Sequence, residues 1–122
     1  MRALIMESSN AMRAVLQRIL SLRGFEVSEA HNGAAALEEL SRSGAADLVL
    51  IDWSLDEAES LEFINKIRRE TQKDPTVLMM ASTEPERRRL HRALIAGADD
   101  YLMKPFTSRQ LDEKLSEAGF AL

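Results

Sequence analysis

Cysteine is absent from the 122-residue chain, which excludes disulfide staples, thiolate metal sites and cysteine nucleophiles. Histidine is scarce: His31 and His91 are too few and too far apart for a histidine-based metal centre. No apolar stretch approaches the roughly 18 residues that a membrane span needs, and no signal-peptide pattern opens the chain. Basic charge is not in excess. A net charge of −4 offers no broad attraction to nucleic acid or to an anionic membrane. Linkers and low-complexity tracts are missing too. These absences predict a soluble, cytoplasmic protein with residues 1–122 as a single domain. The hydrophobic content of 45% is enough for a packed core.

What is present is a repeating unit. Four apolar runs each end in a polar residue: Ala3-Leu4-Ile5-Met6 before Glu7, Leu48-Val49-Leu50-Ile51 before Asp52, Val77-Leu78-Met79-Met80-Ala81 before Ser82, and Tyr101-Leu102-Met103 before Lys104. A helix-like segment follows each run, the alternation of a parallel sheet with crossover helices. A further strand, Phe25 to Ala30, alternates with Phe25 and Val27 inward, which suits an edge.

Helix signals fill the gaps. Ser8, Ser9 or Asn10 can cap a helix whose apolar face is Met12, Val15, Leu16, Ile19 and Leu20, with Gly24 as its stop. Asn32-Gly33 reads as a turn before a helix with Ala36, Leu37 and Leu40 on its core stripe. Leu61, Ile64 and Ile67 mark a third helix, broken by Asp74-Pro75. Pro85 suits the first turn of a fourth, with Leu90, Ala93 and Leu94 buried and Gly97 beyond its end. Leu111, Leu115 and Ala118 face the core from the last. The predicted fold is α/β: a doubly wound, five-stranded parallel sheet of order 2-1-3-4-5, flavodoxin-like, with helices on both faces. All strand ends then meet at one edge, where ligand crevices form. Glu7, Asp52, Ser82 and Lys104 would converge there. Two carboxylates, a hydroxyl and an ammonium can hold a divalent cation and a phosphoryl group.

With these residues in hand, the chain resembles the receiver domain of two-component response regulators over essentially its whole length. Leu4-Ile5-Met6-Glu7-Ser8-Ser9, the run from Asp47 to Trp53, Ala96-Gly97-Ala98-Asp99-Asp100-Tyr101 and Lys104-Pro105-Phe106 carry the likeness. Ser82 follows Asp52 by 30 residues and Lys104 follows Ser82 by 22, as the family's phosphoacceptor, switch hydroxyl and lysine require. The resemblance implies that Asp52 accepts a phosphoryl group from a histidine kinase or phosphotransfer protein. Ser82 would contact a phosphoryl oxygen and Lys104 would pair with it. The Lys104-Pro105 bond would be cis, and Tyr101 would act with Ser82 as the switch. Mg²⁺ would be the cofactor, held by Glu7, Asp52 and the backbone carbonyl of Ser54, with Ser8 a neutral further position. Output would run to a protein target through the fourth helix, fifth strand and fifth helix of a monomer or weak dimer. No nucleic acid or membrane partner is implied. The only catalysis would be self-phosphorylation from a phosphodonor and self-dephosphorylation at Asp52, so this is not a conventional enzyme. Ser54 and Glu84 resemble positions that set dephosphorylation rate.

Three positions depart from the family pattern. Its first strand normally ends in two acids, where this chain has Glu7-Ser8; Asp56 and Ser60 stand where proline and glycine are usual. Losing an anionic ligand weakens Mg²⁺ binding, so a second reading is a degenerate receiver that binds proteins without phosphorylation. Other readings of single residues stay open. Ser82 can cap the fourth helix, Tyr101 can be half-buried packing, and Arg87, Arg88, Arg89 and Arg92 can be a solvated helix face or a docking surface. Met79-Met80 reads as core and His31 as a loop residue. Two enzyme classes on the same architecture lack their signatures. A flavodoxin needs glycine in the loop after the first strand, which is Ser8-Ser9-Asn10-Ala11, and a haloacid-dehalogenase-type phosphatase needs an aspartate where Ser54 stands. The five units leave no helix-turn-helix.

Overall fold

The computed structural model describes residues 1–52, 57–70, 76–82 and 87–121, with the side chains of residues 57, 70 and 87–90 outside that description. The expectations placed on Trp53, Ser54, Asp56, Asp74, Pro75, Glu84 and Pro85, and on the side chains of Arg87, Arg88, Arg89 and Leu90, lie outside the described residues. Strands and helices alternate: β1 (Arg2–Met6), α1 (Asn10–Leu22), β2 (Glu26–Ala30), α2 (Gly33–Ser43), β3 (Leu48–Asp52), α3 (Glu57–Glu70), β4 (Val77–Ser82), α4 (Arg87–Ala96), β5 (Asp100–Met103) and α5 (Ser108–Glu117). The strands form one parallel sheet in the order β2-β1-β3-β4-β5. That is the expected order. β1, β3 and β4 are buried almost throughout, whereas β2 is mostly half-buried or exposed and sits at the edge, because only a central strand is covered on both faces.

Alternation along each strand divides the core. Leu4, Met6, Val49, Ile51, Leu78 and Met80 point to the face covered by α2, α3 and α4. Ala3, Ile5, Leu48, Leu50, Met79 and Ala81 point to the face covered by α1 and α5. Successive strand side chains must face opposite ways, so each run of four or five apolar residues serves two cores.

Several expectations need correction at this level. Val15 is 51% exposed and Leu94 43%. A helix turns about 100° per residue, and the buried rows run through Leu16 and Leu20 on α1 and through Ala93 on α4. Val15 and Leu94 each fall one step off those rows, on the shoulder facing solvent. Ala118 is exposed because α5 ends at Glu117 and Ala118 is its C-cap. Phe120 packs there instead, its ring edge-on to Phe25 at 5.3 Å between centroids. Phe25 is buried but precedes β2. Asn32 is not part of a separate turn. It caps α2, its side chain accepting from the Ala35 N–H at 2.8 Å. α3 starts at Glu57, ahead of the apolar stripe, and buries Phe63 beside Ile64 and Ile67.

Candidate functional site

Sheet register brings the site together. Met6 lies opposite Ile51, so the next residues, Glu7 and Asp52, end neighbouring strands side by side. Asp52 lies opposite Ala81, which leaves Ser82 one step beyond it. Ser82 lies opposite Met103, and the Lys104 N–H donates to the Ser82 carbonyl at 2.7 Å. Four residues spread over nearly the whole chain thus meet at one rim. Glu7, Asp52 and Ser82 are buried.

The ammonium of Lys104 joins the two carboxylates, donating to Glu7 Oε2 at 2.8 Å and to Asp52 Oδ1 at 3.1 Å. The other two oxygens also have donors. The Ser8 hydroxyl donates to Asp52 Oδ2 at 3.2 Å, and the Ser9 N–H donates to Glu7 Oε1 at 3.2 Å. Burial, the largest influence, pushes the Glu7 carboxyl above its ordinary value of 4.5; nearby Asp52 adds to this and Lys104 opposes it. For Lys104 burial acts downward, but Glu7 and Asp52 together outweigh it and raise the ammonium above 10.5. The lysine stays charged at neutral pH, so the pocket carries two acids around one fixed cation.

Arg13, which the sequence reading passed over, braces this corner. Its Nη1 donates to the Glu7 carbonyl at 2.6 Å, and its Nη2 to Asn10 Oδ1. It lies one turn into α1, and nothing in the local sequence separates it from an ordinary surface arginine. Tyr101 precedes Lys104 by three residues. It is on β5 with 37% of its surface exposed. The Lys104-Pro105 bond is cis.

A metal can be tested against this geometry. Glu7 and Asp52 already converge on one cationic atom, the Lys104 Nζ, so the pair faces a position that suits positive charge. Mg²⁺ is commonly held by one or two carboxylates while keeping several waters, and these two residues fit that need. Among the described residues no three acidic, histidine or cysteine side chains are grouped so that they could hold a metal ion together. Ser8 brings a hydroxyl, not the second charge.

The model of the response regulator receiver domain matches residues 3–116. The chain is 33% identical over 116 residues to chemotaxis protein CheY1 of Helicobacter pylori, covering 94% of each chain. It is 31% identical over 118 residues to a chemotaxis protein CheY homolog of Campylobacter jejuni, covering 96% of this chain and 91% of that one. Among solved structures, chemotaxis protein CheY4 of Vibrio cholerae superposes with a TM-score of 0.84 at 25% identity, over 95% of this chain and 96% of that one. A response regulator receiver from Bermanella marisrubri gives 0.82 at 28% identity, over 95% of each. By sequence, strand order and fold alike, the chain belongs to the response regulator receiver domain family.

Proposed function

We propose that this chain is a phosphoacceptor switch in which Asp52 takes a phosphoryl group from a histidine kinase or phosphotransfer protein. Aspartyl phosphorylation is the family's general function, and one observation carries the reading here. The Asp52 carboxylate is buried at a strand end with a lysine ammonium 3.1 Å away and a serine hydroxyl on its other oxygen. A carboxylate oxygen attacks phosphorus, and the bond from phosphorus to the donor's imidazole nitrogen breaks. That nitrogen keeps the electron pair and is protonated from solvent. Lys104 pairs with the incoming phosphoryl oxygens, and Ser82 donates its hydroxyl to one of them. Glu7, Asp52, the Ser54 carbonyl and the Ser8 hydroxyl would hold Mg²⁺, which neutralises charge on the transferring group when bound. Ser82 and Tyr101 would carry the change to the surface of α4, β5 and α5, where Leu94 and Ile95 are exposed. That surface would dock a target protein, with the chain a cytoplasmic monomer or weak dimer.

Beryllofluoride with Mg²⁺ tests this reading. Emission of Trp53, next to Asp52 in sequence, is expected to change in the wild type and not in Asp52→Asn. No change in a folded wild type at millimolar Mg²⁺ would count against it.

A second reading, a protein-binding module that works without phosphorylation, draws on a specific observation. All four oxygens of Glu7 and Asp52 already accept from protein donors, and Ser8 stands where a charged metal ligand is usual. An incoming cation has to share these oxygens with the Lys104 and Ser8 donors. Target binding that is equal for wild type and Asp52→Asn, with or without a phosphodonor, would favour this reading.

A further inference from the structure

Tyr101 is the chain's sole tyrosine, and it occupies β5, an edge strand of the sheet. A half-exposed ring on an edge strand has little packing to choose its rotamer. Here an ammonium supplies a directional contact. Lys114 Nζ, reaching across from α5, lies 4.8 Å from the centroid of the Tyr101 ring, inside the roughly 6 Å range over which a cation is held by a ring face. The same Nζ is 2.9 Å from Asp100 Oδ1. Asp100 Oδ1 in turn accepts the backbone N–H of Tyr101 at 2.7 Å. Ring, ammonium, carboxylate and backbone therefore form a closed loop, and both ends of Tyr101 are tied to one ion pair. Lys114 and Asp100 are each only about a quarter exposed, so salt screens this pair less than a free surface pair.

α5 is in a position to hold that cation still. Its neighbours Leu111 and Leu115 are fully buried in the sheet. Its first turn is fastened by a reciprocal cap, in which Gln110 N–H donates to Thr107 Oγ1 and Thr107 N–H to Gln110 Oε1. Beside the ring lies a groove of about 260 Å³ between β5 and α5, bordered by Met103, Gln110, Glu113 and Glu117. A ring released from Lys114 has open space to enter. We propose that Lys114 is the positioning residue for Tyr101, its charge pinning the ring in the outward position that the surface of α4, β5 and α5 presents at rest. The consequence for signalling rests on the phosphoacceptor reading above; the contact itself does not.

Incorporating 3-fluorotyrosine gives one ¹⁹F resonance from the full chain, because there is one tyrosine. In Lys114→Met, which keeps the stem and removes the charge, that resonance is expected to move by more than its linewidth and to broaden or split. Lys114→Arg should return it towards the wild-type position, since a guanidinium also sits on ring faces. Removal of a merely structural contact would not be repaired by charge alone. Superimposable wild-type and Lys114→Met spectra, with both proteins folded by circular dichroism, would overturn the proposal. The wild type alone gives a second check. Nuclear Overhauser contacts between the Lys114 ε-methylene and the Tyr101 ring protons are expected, and their absence overturns it without any variant. Adding beryllofluoride and Mg²⁺ separates the two claims: a wild-type resonance that ignores them but moves in Lys114→Met upholds the Lys114 contact while Asp52 signalling fails.

Discussion

The Ser8 hydroxyl donates to Asp52 Oδ2 at 3.2 Å, across the boundary between the ends of β1 and β3. A neutral donor here stabilises the Asp52 carboxylate without adding the negative charge a divalent cation needs. Ser8→Asp is therefore expected to tighten Mg²⁺ binding by at least about tenfold, the lower end of what even indirect ligand losses cost. A Mg²⁺ titration followed by Trp53 emission measures it. Unchanged affinity would mean that Ser8 does not limit the metal site.

Among the described residues, Lys104 is the partner of Glu7 that reaches it from the end of another strand and opposes the effect of burial. Removing it in Lys104→Met leaves burial and Asp52 to push the Glu7 carboxyl still higher, which carboxyl carbon NMR on the metal-free protein will record. The signs for stability follow. Glu7 has a raised value when folded, so its contribution is full below 4.5 and is lost as pH rises through that higher value. Lys104, raised above 10.5, contributes at neutral pH and stops contributing only in alkali. At pH 7 the variant thus leaves two buried carboxylates facing each other, and a loss on the order of 3 kcal/mol is expected by denaturant unfolding.

Ser60 points the other way. It is fully buried, and its hydroxyl has no hydrogen-bond partner among the described residues. Keeping an unsatisfied hydroxyl from water costs about 1 kcal/mol or more. Ser60→Ala should therefore raise the unfolding midpoint by an amount equivalent to about 1 kcal/mol. A lower midpoint would show that the hydroxyl is satisfied in solution.

Gly97 is fixed by its neighbour. Its φ is +129°, and a Cβ built there would lie 2.5 Å from Arg68 Cγ. Arg68 cannot easily give way. Its guanidinium donates to the Gly97 carbonyl at 2.6 Å and to Asp99 Oδ2 at 2.5 Å, and also to the Thr76 carbonyl. Gly97→Ala should cost about 1–3 kcal/mol from backbone strain, with the contact at Arg68 added. Arg68→Ala should relieve the contact but not the strain, so the double variant separates them.

Strand order and the meeting of Glu7, Asp52, Ser82 and Lys104 at one rim were legible from sequence because both follow from long-range rules. Parallel strands all end on one edge, and β2's alternation marks it as an outer strand. Side-chain detail was less legible. Helical spacing locates an apolar row only to within a residue or so, which is why it places Val15 and Leu94 in the core and does not single out Phe63 and Phe120. Nor does spacing state which oxygen Lys104 meets, that Arg13 supports the Glu7 carbonyl, or that Lys114 sits over Tyr101. Those contacts depend on long, flexible stems reaching between elements, and their end points are set by the packed fold.

Intact mass after incubation with acetyl phosphate and Mg²⁺ probes Asp52 most directly. A gain of one phosphoryl group in the wild type, absent from Asp52→Asn and from protein treated with hydroxylamine, is the expected result. A folded wild type whose mass stays unchanged, or an Asp52→Asn variant that gains the same mass, would contradict assignment of the phosphoryl group to this carboxylate.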